Sequence, residues 1–226
     1  MTTSHVAFDD VSYTVGDSRI LTGVTTRLTA PRTAVIGANG SGKSTFARMM
    51  NGLRRPTSGA VRVLGLDPSA DATRVRSRVG FVFTNPEAQI LMPTPAEDLT
   101  LSLGSVPRAT RAARVERLLE QYGLAGRGGQ PVSELSGGQR QLLALAAVLC
   151  TEPRLVVADE PTTLLDLRNA RRIADLLLGL EVPVVIVTHD LELAARCDEV
   201  MLFDGGRLAA AGEPEGVIDM YRRISA

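Results

Sequence analysis

The 226-residue sequence has no excess of either charge: Lys plus Arg and Asp plus Glu both number 25. Nucleic-acid-binding chains usually carry a basic excess or patch, so this balance argues against a nucleic-acid partner. Cysteine is scarce, with Cys150 and Cys197 far apart in apolar helical contexts. That spacing excludes a metal or redox motif, and the two read as buried thiols in a reducing compartment. No apolar run approaches the roughly 18–20 residues that span a bilayer. The longest, Leu142–Cys150 and Val182–Val187, read as a core helix and a core strand. Within Met1–Asp10, Asp9 and Asp10 stand where a signal peptide needs an apolar stretch. The chain is therefore expected to be soluble, with any role at a membrane supplied through partners. No internal repeat or low-complexity tract is evident.

What is present is an apolar content of 44%, enough for one α/β domain with a proper core and an inserted subdomain. The first stretch alternates in short runs with turn signals at Gly16-Asp17 and Gly23, which suggests a small antiparallel β layer. Thr33–Gly37 reads as a short strand entering a Gly-rich turn, followed by a helix over Ser41–Leu53. Ala60–Leu64 and Val79–Phe83 read as further strands. The middle changes character. Thr94-Pro95-Ala96-Glu97 is a capping-box signature with Pro at the first helical position. Thr110–Tyr122 has helical spacing of Val115, Leu118, Leu119 and Tyr122, and Gly137–Cys150 reads as a third helix. Strand Leu155–Ala158, helix Leu167–Leu180, strand Val182–Val187, helix Leu191–Arg196 and a hairpin over Met201–Leu208 complete the pattern. Continuous apolar strands alternating with helices predict a mostly parallel sheet covered on both faces. The expected organisation is one domain, 1–226, with an α/β core at 1–84 and 151–226 and a helical subdomain at 85–150.

The chemistry starts at Gly37-Ala38-Asn39-Gly40-Ser41-Gly42-Lys43-Ser44, which fits G-x-x-x-x-G-K-[ST] in full, between a strand and a helix. Its glycines let backbone N–H groups turn inward around phosphate oxygens, and the helix N-terminus adds positive potential. Lys43 is expected to reach the β- and γ-phosphates of ATP, Ser44 to ligate Mg²⁺, and Thr45 to contact the α-phosphate. Leu155-Val156-Val157-Ala158-Asp159-Glu160 is a strand ending in two acids. Asp159 is placed beside the metal, and Glu160 close enough to the γ-phosphate to polarise an attacking water.

Leu135-Ser136-Gly137-Gly138-Gln139 follows the helical insertion and precedes the Asp159 strand. Ser136 is expected to cap a helix whose N-terminus offers backbone donors to an anion. In this order the motifs resemble those of the ATP-binding cassette (ABC) ATPases over nearly the whole chain. The resemblance implies a P-loop NTPase core with an N-terminal antiparallel β layer and an inserted helical subdomain. It further implies that the anion is the γ-phosphate of ATP bound to a second, opposing ATPase subunit. Thr163-Leu164-Leu165-Asp166 matches the family's D-loop, with Asp166 crossing the dimer interface, and His189 matches the switch histidine.

Two positions depart from the family pattern. Val79-Gly80-Phe81-Val82-Phe83 is followed by Thr84 where the family has a glutamine near the metal and the water. Threonine is shorter; it acts through an intervening water, or Gln89 moves in. The aromatic that stacks on adenine falls at Val15, with Tyr13 two residues earlier as a substitute or as plain packing.

Asn85-Pro86-Glu87-Ala88-Gln89 is similar to the N-P-x-x-Q segment of energy-coupling factor (ECF) importers of vitamins and metals. Met92-Pro93-Thr94, Thr84 and Thr162-Thr163-Leu164-Leu165-Asp166-Leu167 look most like the biotin-type ATPases of that group. The sequence runs only a short way past the Met201–Leu208 hairpin, so the extra C-terminal domain of many cobalt-type and general ECF ATPases is not expected. The resemblance implies an ATPase dimer, homodimeric by preference, at the cytoplasmic face of a membrane. Its partners are a transmembrane coupling subunit and a substrate-binding membrane subunit. The alternatives are the ATPase of another ABC importer and a soluble regulatory ABC ATPase.

Overall fold

The computed structural model describes residues 4–225. The reading of Met1–Asp10 falls in part on residues 1–3, and that part lies outside the described residues. The chain opens with β1 (Val6–Val15), β2 (Ser18–Leu28), β3 (Arg32–Ile36), α1 (Lys43–Met49) and β4 (Ser58–Val63). Then come α2 (Ala72–Arg76), β5 (Val79–Val82), α3 (Pro95–Ser102), α4 (Arg108–Gln121) and α5 (Gly137–Leu149). It closes with β6 (Leu155–Asp159), α6 (Leu167–Leu178), β7 (Val184–Val187), α7 (Leu191–Ala194), β8 (Glu199–Asp204), β9 (Arg207–Gly212) and α8 (Pro214–Ile224).

Two sheets form. β2-β1-β4 is the expected antiparallel layer. The larger sheet has the order β5-β6-β7-β3-β8-β9, parallel throughout except for the β8–β9 hairpin at its edge. β5 and β6 pair directly although α3, α4 and α5 lie between them in the chain.

The central strands are apolar on both faces because both are covered. Val35, Val157, Val185 and Phe203 turn toward one side, where they meet α1 and the antiparallel layer. There Phe46 of α1 stacks on Phe8 at 4.3 Å between ring centroids and leans on Phe203 at 4.9 Å. Burying each such ring contributes about 1.5–3 kcal/mol. Ala34, Ile36, Val156, Ala158 and Ile186 turn to the other side, against α5, α6, α7 and α8. The α3 and α4 residues Leu99, Leu118 and Leu119 belong to that same apolar cluster, so the helical segment is continuous with the core.

Caps match the sequence where it was explicit. The Thr94 hydroxyl accepts from the Glu97 N–H and donates to its carboxylate, and Pro95 opens α3. Helix α1 is shorter than the Ser41–Leu53 expectation at both ends, and its start is delayed because Gly42, with φ 99°, holds the preceding turn open. The hairpin is longer than expected, and α2 and α8 were not foreseen.

Candidate functional site

The parallel strands deliver β3, β5, β6 and β7 to one edge of the sheet, the place where α/β folds bind ligands. Ile36 runs into the Gly-rich turn there, Asp159 ends β6, and Val187 leads to His189. The turn is wedged between two neighbours. A Cβ on Gly37 (φ 141°) would lie 2.1 Å from the Phe203 carbonyl oxygen, and one on Gly42 would lie 2.6 Å from Leu21. Only glycine fits either position, so the backbone is held in a conformation that directs N–H groups inward. The resulting cavity, about 300 Å³, is lined by Asn39, Gly40, Ser41, Gly42, Lys43, Ser44, Thr45, Glu160 and Ile20.

Within it, Lys43 Nζ donates to the carbonyls of Gly37 at 2.7 Å and Ala38 at 2.8 Å. Burial pushes its pKa down from the ordinary lysine value, against the opposing charges of Glu160 and Asp159. Ser44 Oγ donates to Asp159 Oδ1 at 2.8 Å. Asp159 is fully buried, and burial raises its pKa, opposed by the Ser44 hydrogen bond and by Arg48. Its Oδ2 has no hydrogen-bond partner, with Arg48 Nη2 at 3.2 Å as the nearby cation. A hydroxyl and a carboxylate with a spare buried oxygen are the hard donors that suit Mg²⁺, so Ser44 and Asp159 fit the metal that ATP would bring.

Glu160 follows directly. Its φ of 53° is left-handed, a conformation that costs a non-glycine residue about 1–3 kcal/mol and is held here by its N–H bonding to Val187 O. Its Oε2 accepts from Thr163 Oγ1 at 2.8 Å and lies 2.7 Å from His189 Nδ1. Glu160 Oε2 thus meets both the Thr163 hydroxyl and the His189 ring.

Thr84 stands nearby, and its Oγ1 donates to the main-chain oxygen of Asp159 at 2.7 Å. Gln89 points elsewhere: it accepts from the Phe83 N–H and donates to the Ala144 carbonyl. Tyr13 is half-buried and packs against the core of the antiparallel layer. Val15, paired with Ser18, is 56% exposed.

The apolar wall of the cavity is Ile20, which sequence reasoning missed. The pairing steps from Tyr13↔Leu21 to Thr14↔Arg19, so Ile20 is the extra residue of a bulge in β2. Bulges re-aim side chains, and alternation alone does not reveal one. Arg48 was also missed, although its place four residues after Ser44 puts it on the same face of α1.

The signature residues lie apart from this cavity. Ser136 Oγ accepts from the Gln139 N–H, and Gln139 Oε1 accepts from the Ser136 N–H, closing a capping box on α5. Leu135 is buried, and Gly138 packs on Asn169 of α6. Gly137 lines a separate cavity of about 190 Å³ with Thr84, Pro161 and Leu164. Asp166 caps α6 through the Asn169 N–H and side chain, and these bonds hold its carboxyl below the usual range.

A strand–turn–helix with a glycine-rich turn, a buried Ser44–Asp159 pair and the Glu160 carboxylate beside His189 suit a P-loop ATPase. The ABC transporter family model matches residues 25–163, and the chain belongs to that family: it is an ATPase whose hydrolysis is coupled to transport. It is 40% identical over 224 residues to the biotin transport ATP-binding protein BioM of Rhizobium etli, covering 98% of this chain and 100% of that one. It is 35% identical over 240 residues to the energy-coupling factor transporter ATP-binding protein EcfA1 of Lactobacillus delbrueckii, covering 99% and 85%. Among solved structures it is similar to cbiO1 of Clostridium perfringens, described as part of the ABC transporter complex cbiONQ. The TM-score there is 0.84 at 27% identity, covering 98% and 93% of the chains. Among the described residues no helix is long and apolar enough to cross a membrane.

Proposed function

We propose that this chain energises an ECF-type importer of a vitamin, biotin before other vitamins or a metal ion. It works as a dimer of identical chains, peripheral to the cytoplasmic face of the membrane. Lys43, Ser44 and Asp159 hold Mg-ATP within one chain. Ser136, Gly137 and Gly138 of the other chain present the α5 N-terminus to the γ-phosphate, and Asp166 lies at the interface between them. Glu160 accepts a proton from the attacking water while His189 fixes the carboxylate. Closure around ATP moves the helical segment, 85–150, against a transmembrane coupling subunit, which acts on a separate substrate-binding membrane subunit. Hydrolysis and phosphate loss reopen the dimer.

The observation that carries this reading is an open groove of about 440 Å³ on the helical segment. Met92, Ala96, Thr100 and Leu101 line it, with Glu97 and Arg111 at its polar positions. Leu101 is 52% exposed and Leu91, just before Met92, 73% exposed. Such a surface suits a helix of a membrane protein. The names of the BioM and EcfA1 relatives support the same assignment.

The test is capture of tagged Glu160→Gln protein from native membranes in Mg-ATP, with partners identified by mass spectrometry. A polytopic coupling protein together with a vitamin-binding membrane protein is the expected result. Soluble partners alone would overturn the importer reading and leave the ATPase assignment standing.

A further inference from the structure

The Ser44–Asp159 pair has a third member. Arg48 stands about one helical turn beyond Ser44 on α1, and long side chains on a helix lean back toward its N-terminus. Its Nη2 lies 3.2 Å from Asp159 Oδ2, while Asp159 Oδ1 accepts from the Ser44 hydroxyl at 2.8 Å. The contact is close but poorly aligned. Four buried side-chain polar atoms lack a hydrogen-bond partner among the described residues, and two of them, Arg48 Nε and Asp159 Oδ2, belong to this pair. The Asp159 side chain is 1% exposed, so solvent does not screen its charge. Lys43, the cation that lines the cavity, has turned its amine to the Gly37 and Ala38 carbonyls.

A basic residue in the last turn of a helix ordinarily serves the helix C-terminus. Arg48 is instead drawn to a carboxylate at the level of the first turn. A buried carboxylate without a cation is costly, whereas a cation held by one imperfect contact is readily exchanged. We propose that Arg48 is a positioning residue that stands in for the metal: its guanidinium holds the Asp159 carboxylate in the nucleotide-free chain and yields it to the divalent cation that comes with ATP. It acts through Asp159 alone. Its positive charge opposes the incoming ion, so the site gives up some metal affinity and keeps Asp159 aimed at Ser44 between turnovers. The inference rests on the reading that Ser44 and Asp159 hold the metal.

Mn²⁺ is the probe, because electron paramagnetic resonance reports its bound and free forms directly. The purified full chain, in excess over a non-hydrolysable ATP analogue, is titrated with Mn²⁺. Asp159→Asn tests the underlying reading: it should weaken Mn²⁺ binding about tenfold or more, and an unchanged affinity overturns the reading and the inference together. Arg48→Met, with Asp159 intact, should tighten Mn²⁺ binding about three- to tenfold. Arg48→Lys keeps the charge and should bind as the parent does. In EDTA without nucleotide, Arg48→Met should unfold at a lower urea midpoint than the parent, and Mn²⁺ with the analogue should close that gap. A merely structural arginine predicts the same loss of stability in both conditions and an unchanged Mn²⁺ affinity. That pattern overturns the proposal even where Asp159→Asn bears out the metal reading, and so does weaker Mn²⁺ binding in Arg48→Met. Arg48→Gln, which keeps the stem and an amide donor, goes through the same comparison where circular dichroism shows that Arg48→Met has not folded.

Discussion

The phosphate cradle and the signature helix both present a helix N-terminus, yet they are built in opposite ways. The cradle is strained and incomplete by itself. Gly37 and Gly42 take left-handed angles against close neighbours, Glu160 does so at a cost, and Asp159 Oδ2 is buried without a hydrogen-bond donor. The signature end is relaxed, with Ser136 and Gln139 closing a reciprocal cap. A site with unmet buried polar groups states its need for a ligand within one chain. A satisfied helix end shows no such need, and within one chain it reads as a capped helix alone. One motif is thus legible in the monomer as chemistry, the other only as a well-formed helix.

Removing groups from the strained side has the largest expected effects. Glu160→Gln should lower ATP turnover by about 10²–10⁴-fold while Mg-ATP binding persists. Sedimentation should then show an ATP-dependent dimer, and a monomer at every ATP concentration would break the two-chain reading of the signature helix. Lys43→Ala should cost about 10²–10³-fold in turnover and weaken nucleotide binding as well, read by phosphate release and by titration with a fluorescent ATP analogue. Gly37→Ala attacks the cradle without touching chemistry. With the Phe203 carbonyl in the way, about 3 kcal/mol or more of stability should be lost, visible as a lower midpoint in urea.

Substitutions on the relaxed side separate its two readings. Ser136→Ala removes one cap, worth about 1 kcal/mol of stability. An ordinary capped helix stops there, whereas a helix that serves a second chain's ATP loses turnover far beyond that amount at unchanged ATP affinity of the P-loop. Thr84→Gln sits between the regions and has the smallest expected effect: turnover is kept or raised. A large loss would give the bond from the Thr84 hydroxyl to the Asp159 carbonyl a task of its own.

Local rules explain what the sequence made readable. Gly37 to Ser44 is a contiguous motif whose neighbours in sequence are its neighbours in space, and the Ser136–Gln139 and Thr94–Glu97 caps span four residues each. The parallel core was legible because Val79–Val82, Leu155–Ala158 and Val184–Val187 are apolar on both faces. Helix α8 carried its signals, Pro214 at the first turn and Val217, Ile218 and Tyr221 at helical spacing, and went unread. Ile20 lies at a bulge, where a period of two gives no warning that one residue is out of step. The partner of Gln89 is the backbone of Phe83 and Ala144, and no pattern of side chains encodes a main-chain acceptor that tertiary packing brings close.

Lys43 is the only lysine in the chain, and it is folded back on the carbonyls of its own loop. Apart from a chain-terminal amine, the protein therefore offers amine-directed reagents a single target, at the centre of its nucleotide site. Burial favours the neutral, nucleophilic form of that amine. An acyl group located on Lys43 by peptide mass would mark an empty site, and its absence from Lys43 in the presence of nucleotide would mark a filled one. The chain carries its own occupancy label, at the one lysine of its Gly-rich turn.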